Sequence, residues 1–158
     1  MQTGLSAMLP AAMPPRFSSD PIVEAGRLLR RAARLPFEAA RPRAWATQFT
    51  EAMVEARKAL VAHILRAERS DSHMNEVYQG IPRLRSLVSR QTDEHQELLG
   101  RCHELVEDAR ILDEPGLWDM VEFSEKAKSL ELAVGRHRER MLELVYEANN
   151  RQLGGEAG

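Results

Sequence analysis

The most regular feature of the sequence is a set of mainly apolar positions that recur at alternating steps of three and four residues. This alternation is the spacing of a seam along which α-helices pack. Three stretches show it almost without a break, and each contains one histidine. They are Phe49, Met53, Ala56, Leu60, His63 and Ala67; Leu84, Val88, Gln91, His95, Leu98, Cys102, Leu105, Ala109 and Leu112; and Phe123, Ala127, Leu130, Val134, His137, Met141 and Leu144.

Proline, glycine and capping residues mark the ends of four predicted helices. Asp20 followed by Pro21 is typical of an N-cap and first helical position, and the helix that they begin should reach about Leu35. The next three helices are expected over 43–69, over 82–112, and from the break at 113–116 to about Asn149. Residues 73–80 are expected to form a loop or a short helical turn. The chain therefore divides into a flexible leader over 1–19, a bundle over 20–150 and a flexible tail over 151–158.

The two halves of the predicted bundle are weakly similar to each other. Aligning Glu24 and Ala25 with Glu94 and His95 brings further apolar positions into register, and a shift of four more residues aligns His63 with His137. We therefore predict an all-α, up-down four-helix bundle built from two pseudo-repeated helical hairpins. In such a bundle Ala25, His63, His95 and His137 fall near one layer.

Composition narrows the class of protein. A chain of 158 residues can bury a core without disulfides or a structural metal, and Cys102 has no second cysteine to pair with, so we expect a reducing compartment such as the cytoplasm. The 22 basic and 24 acidic residues nearly cancel, which argues against nucleic-acid and anionic-membrane partners. No phosphate-binding loop, nucleophile with a matched base or paired-cysteine zinc motif is present, so the sequence does not indicate an enzyme.

The joint placement of three histidines resembles the hemerythrin family of cation-binding four-helix bundles, over about residues 20–150. Intact members hold two irons, with histidines from all four helices and bridging carboxylates from the second and fourth. His63, the pair Glu94 and His95, and His137 match the order and rough spacing of the family's ligands on the second, third and fourth helices. The resemblance implies a metal site in the bundle core.

The chain departs from the family pattern at four positions. Ala25 stands where a first-helix histidine is expected, Ala67 lies four after His63, Met141 lies four after His137, and Gln91 lies four before His95. Two irons need anionic ligands that these residues do not supply, so an intact di-iron centre is not expected.

The nearest acid is Glu68, five residues after His63. It is a candidate ligand, but the extra step rotates it by about 100° around a helix, so it could instead face solvent.

Three neutral imidazoles suffice for one divalent ion with an open position. The first hypothesis is therefore a single iron or zinc ion on His63, His95 and His137, with Glu68 or Gln91 nearby, in metal, oxygen or redox sensing or binding. The alternative is a metal-free scaffold or protein-interaction module in which the histidines are ordinary core residues. A third possibility is a small cavity for another ligand, because alanines leave space near the histidines. His73 and His103 are expected at the surface, and the sequence leaves the oligomeric state open.

Overall fold

The computed structural model describes the backbone of residues 20–157 and the side chains of residues 20–150. This part of the chain is helical and contains no strand, which confirms the all-α prediction. The predicted leader lies outside the described residues. The elements are α1 (Pro21–Ala33), α2 (Pro42–Ala67), α3 (His73–Gly80), a 3-10 turn (Pro82–Leu84), α4 (Arg85–Arg110) and α5 (Leu117–Ala157).

The helix ends follow from the residues that stand there. The Asp20 carboxylate accepts a hydrogen bond from the backbone N–H of Ile22 at 3.0 Å, so the predicted N-cap of α1 is present. The Ser72 hydroxyl accepts one from the N–H of Asn75 at 3.1 Å, and this cap turns the segment after it into a helix. Helix α5 ends at Ala157 rather than near Asn149, so its backbone continues through the segment expected to be a tail.

The four longer helices pack into a bundle in which each contacts two others. Helix α1 packs against α2 and α5, and α4 packs against the same two helices, while the short α3 packs against α4. Every predicted seam position is buried or half-buried, because the alternating spacing keeps one stripe of each helix toward its neighbours. In residues 20–157 no helix has the length and apolar character needed to cross a membrane.

Two apolar clusters fill the bundle. The larger includes Trp45 and Phe49, whose rings stack at 5.0 Å, with the ring of Phe123 edge-on to Phe49 at 5.6 Å. The smaller lies where α3 covers the other end, and its members are Met74, Val77, Leu84, Val88, Leu144 and Ala148. On α4, Val88 belongs to the smaller cluster and Leu98 to the larger, so the polar residues Gln91 and His95 lie between them.

A matched pair of substitutions on α2 tests this packing. Leu60 is fully buried in the larger cluster, whereas Leu65 is 66% exposed. Leu60→Ala should lower the free energy of unfolding by about 2 to 5 kcal/mol, because it removes buried methyl groups and leaves a cavity. Leu65→Ala, the control, should change it by less than about 0.5 kcal/mol. Urea unfolding followed by circular dichroism measures both, and equal effects would contradict the assigned helix face.

Candidate metal centre

Three histidine rings from three helices meet inside the bundle. His63 on α2, His95 on α4 and His137 on α5 have ring centroids 4.8 to 5.5 Å apart. One nitrogen from each ring lies within 4.8 Å of the other two, and the residues are 3%, 3% and 0% exposed. The convergence predicted from the sequence is therefore present.

Each ring turns its Nδ1 toward a carboxylate on a different element. Nδ1 of His95 lies 2.7 Å from Glu68 Oε2, and Nδ1 of His137 lies 2.8 Å from Glu94 Oε1. Nδ1 of His63 faces Asp20 Oδ1 at the longer distance of 3.8 Å. An ionised carboxylate only accepts hydrogen bonds, so the first two contacts select the tautomer in which Nδ1 carries the proton and donates it.

This tautomer leaves the Nε2 lone pairs of His95 and His137 inside the cluster. Nε2 of His137 lies 3.3 Å from Nε2 of His63, and the buried Nε2 of His95 has no hydrogen-bond partner among the described side chains. Two imidazole nitrogens that share a tetrahedral zinc ion, at about 2.0 to 2.1 Å from it, are about 3.3 Å apart. The separation of the His63 and His137 nitrogens therefore matches that of two ligands of one ion, and the His95 nitrogen lies within 4.8 Å of both.

Burial keeps at least two of these rings neutral at physiological pH. Burial lowers the pKa of His63 to about 4, and the neighbouring His95 and His137 add to the shift. Burial also lowers the pKa of His137, although its hydrogen bond to Glu94 opposes the change. Since a metal binds the neutral imidazole, these low pKa values remove the competition with protons at neutral pH.

The carboxylate of Glu94 is held ionised by its own partners. Burial raises its pKa, but hydrogen bonds from His137 and Arg140 outweigh that effect, so the pKa lies below its ordinary value. Arg140 Nε is 2.9 Å from Glu94 Oε2. The ionised Glu94 carboxylate thus lies beside Nδ1 of the His137 ring, on the side away from Nε2.

The other sequence-predicted residues lie close by, but not among the converging nitrogens. Glu68 follows the last residue of α2 and contacts Nδ1 of His95, on the side of the ring away from Nε2, so it neither joins the nitrogen group nor turns wholly to solvent. Gln91 is 5% exposed, and its Oε1 has no hydrogen-bond partner among residues 20–150. His73 and His103 are exposed, as expected.

Two residues of the site were missed as site residues from the sequence. Asp20 was predicted only as a helix cap, and Glu94 only as the neighbour of His95. The Glu-His pair was the available signal for Glu94, because a residue next to a seam position can lie at the edge of the contact between helices, where Glu94 is half-buried. No local signal connects Asp20 with His63, which is far along the chain.

Comparison with known proteins adds no relative. No family model, curated protein or solved structure matches this chain.

The three histidines could hold one metal ion. Within the described part of the chain, the possible metal-binding group contains the three histidines and no carboxylate, so it offers no anionic bridge to a second ion. Cys102 is buried, and burial raises the pKa of its thiol to about 11, so it stays protonated and unreactive at neutral pH.

The low pKa of His63 predicts how stability depends on pH. Its pKa is about 4 in the fold and about 6.5 in the unfolded chain, so between these values the unfolded state binds more protons. The metal-free protein should therefore lose stability, on the order of 3 kcal/mol, as the pH falls from 7 to 4. Urea unfolding at several pH values measures this loss.

Two variants assign the loss to His63. His63→Gln removes one titrating group and should make the dependence less steep, with the contribution of His137 remaining, whereas His73→Gln alters an exposed histidine and should leave it unchanged. Equal slopes for the two variants would contradict the assignment.

Proposed function

We propose that this chain is a hemerythrin-like, up-down four-helix bundle that binds one divalent iron or zinc ion and acts in metal, oxygen or redox sensing or binding. The ligands are the Nε2 atoms of His63, His95 and His137. The observation that carries the proposal is their convergence from three helices, within 4.8 Å, with each Nδ1 turned toward a carboxylate.

The free-energy cost of burying unpaired imidazole nitrogens favours a metal site over an ordinary core. A buried acceptor without a partner costs about 1 to 3 kcal/mol, and Nε2 of His95 is such an acceptor. Nε2 of His137 accepts a hydrogen bond at 3.3 Å only when Nε2 of His63 carries the proton, and Nδ1 of that His63 tautomer then turns a lone pair toward the Asp20 carboxylate. A divalent ion satisfies all three lone pairs at once, whereas one proton satisfies only a pair of them.

The three carboxylates supply negative charge near the proposed ion, in place of the bridging acids that the chain lacks. They lie behind the rings rather than in the group of converging nitrogens, so they offset the charge of an ion through the imidazoles. Outer carboxylates of this kind orient metal-bound histidines and raise their basicity. We assign Glu68 to this supporting role and not to direct ligation.

A sensing or binding role fits this donor set better than dioxygen transport. A bound ion would supply one Lewis-acid centre with an open position. The ligands come from α2, α4 and α5, and the carboxylate of Asp20 caps α1, so occupancy would tie four helices together. Metal binding would therefore stabilise the whole bundle, which is a direct way to report the presence of an ion.

A second candidate, a protein-interaction module, has its own supporting observation. Ile111 and Trp118 are each 82% exposed, and Leu117 is 49% exposed, where α4 is joined to α5. Large apolar side chains clustered at a surface are typical of protein contacts. This candidate predicts that metal addition leaves the melting temperature unchanged.

Metal uptake tests the first proposal. Protein expressed without an affinity tag should contain or take up about one equivalent of iron or zinc, as a three-imidazole site would hold. His95→Ala should abolish uptake because it removes one of three ligands, while His73→Ala, which changes an exposed histidine, should keep it. Elemental analysis and zinc titration calorimetry give the stoichiometry. Equal uptake by the two variants would remove the proposed site.

Removing the charge of one of the three carboxylates tests whether they support metal binding. Glu94→Gln keeps the shape and a hydrogen-bond acceptor for His137 but removes the negative charge. We expect zinc affinity to fall by about 10-fold to 100-fold, with the helical content unchanged. Glu97→Gln is the matched control, because Glu97 is an exposed glutamate on the same helix. Unchanged affinity in Glu94→Gln would argue against a supporting role for this carboxylate.

A further inference from the structure

His63 differs from the other two histidines in how far it stands from its carboxylate. Nδ1 of His95 and Nδ1 of His137 each lie within hydrogen-bond distance of a glutamate, at 2.7 and 2.8 Å. Nδ1 of His63 instead lies 3.8 Å from Oδ1 of Asp20. The short contact of His63 is on the other side of its ring, where its Nε2 is 3.3 Å from Nε2 of His137.

These two distances identify the tautomer of His63 in this arrangement of the rings. A neutral imidazole carries one proton, on either Nδ1 or Nε2. His137 has its proton on Nδ1, which donates to Glu94, so its Nε2 can only accept. The contact of 3.3 Å is therefore a hydrogen bond only when His63 donates from Nε2. Nδ1 of His63 then turns a lone pair toward the Asp20 carboxylate, and the separation of 3.8 Å fits two acceptors that make no hydrogen bond.

An ion among the three rings requires the other tautomer of His63. Zinc bonds to the lone pair of an imidazole nitrogen at about 2.0 to 2.1 Å, and Nε2 is the nitrogen of His63 that faces His137. The N–H bond at Nε2 must therefore break, and its lone pair passes to the ion. An N–H bond forms at Nδ1 in its place, so the ring stays neutral and no net proton is released.

We propose that binding of a divalent ion switches His63 from the Nε2–H to the Nδ1–H tautomer and thereby recruits Asp20 as a hydrogen-bonded carboxylate. The inference rests on the proposed metal-binding function and adds a contact that depends on occupancy. A charge-assisted hydrogen bond from Nδ1 to Asp20, at about 2.7 to 2.9 Å, is about 1 Å shorter than the present separation. The Asp20 side chain is 53% exposed, so it has room to move this distance.

The movement of Asp20 reaches the start of α1. Oδ1 of Asp20 accepts the backbone N–H of Ile22 at 3.0 Å, and a carboxylate has enough lone pairs to accept a second hydrogen bond from His63. The helix cap is therefore kept while the carboxylate turns toward the ring. Occupancy of the histidine cluster is passed in this way to the first turn of α1, a helix that supplies none of the three histidines.

NMR of the imidazole nitrogens follows the switch directly. The full chain is treated with a chelator, and its spectra are recorded at neutral pH before and after addition of one equivalent of zinc. Zinc uptake is measured on the same samples by calorimetry. The chelated protein should show the proton of His63 on Nε2, and the zinc-loaded protein should show it on Nδ1. The amide signal of Ile22 should shift between the two states.

Asp20→Asn separates the recruitment of this residue from its role as a helix cap. Asparagine caps helices about as well as aspartate but brings no negative charge to His63. Zinc affinity should fall about tenfold, the lower end of the loss expected when the carboxylate partner of a metal-bound histidine is changed. Helical content, measured by circular dichroism, should stay the same.

Asp119→Asn is the matched control for this variant. Asp119 lies in the first turn of α5, and its carboxylate also accepts a backbone N–H, from Gly116 at 2.9 Å. It is about 27 Å along the helix from His137, so its charge should not affect zinc affinity.

The outcomes distinguish this switch from the metal site itself. Zinc uptake with the proton of His63 on the same nitrogen before and after would overturn the switch and leave the metal site standing. Equal zinc affinities for Asp20→Asn and Asp119→Asn would do the same. Absence of zinc uptake by the unmodified chain would overturn both proposals.

Discussion

The local structure depends on one constraint, which is that three imidazole rings lie between two apolar clusters and must satisfy six ring nitrogens without bulk water. Carboxylates accept hydrogen bonds from Nδ1 of His95 and His137 and so fix the tautomers of these two rings, whereas Asp20 stays 3.8 Å from Nδ1 of His63. The Nε2 atoms then face one another at the centre of the cluster, where they compete for the few available protons. A cation would relieve that competition, and burial, which lowers the pKa of His63 to about 4, makes a proton a poor substitute.

The carboxylates also connect the helices in sequence around the bundle. Asp20 at the start of α1 faces His63 on α2, Glu68 just after α2 contacts His95 on α4, and Glu94 on α4 contacts His137 on α5. Three acids, at the start of α1, at the end of α2 and within α4, thus face the histidines of α2, α4 and α5. A change at the centre of the cluster therefore reaches four helices through short polar contacts, even though the three rings themselves lie on only three of them.

The sequence was sufficient for the parts of the fold that depend on periodicity. Alternating steps of three and four determine which face of a helix is buried, so the positions of His63, His95 and His137 on the core stripe were predictable, and the internal repeat predicted their common level. The contact of Glu68 with His95 was not predictable by the same rule. Glu68 lies after the last residue of α2, so a helical rotation of about 100° no longer determines its direction. Asp20 and Glu94 lie off the seam, and their contacts depend on the spacing and rotation of neighbouring helices.

The positions that lack acids explain why the interior has two chemically different parts. Alanine, glutamine and methionine at 67, 91 and 141 bring no negative charge, so a second cation beside an ion on the histidines would meet repulsion without compensation. The same residues line an open pocket whose wall carries both apolar and polar side chains. At these three positions the interior therefore offers no negative charge to balance a second ion. His95 borders both parts, with Nδ1 bonded to Glu68 and its ring forming part of the pocket wall.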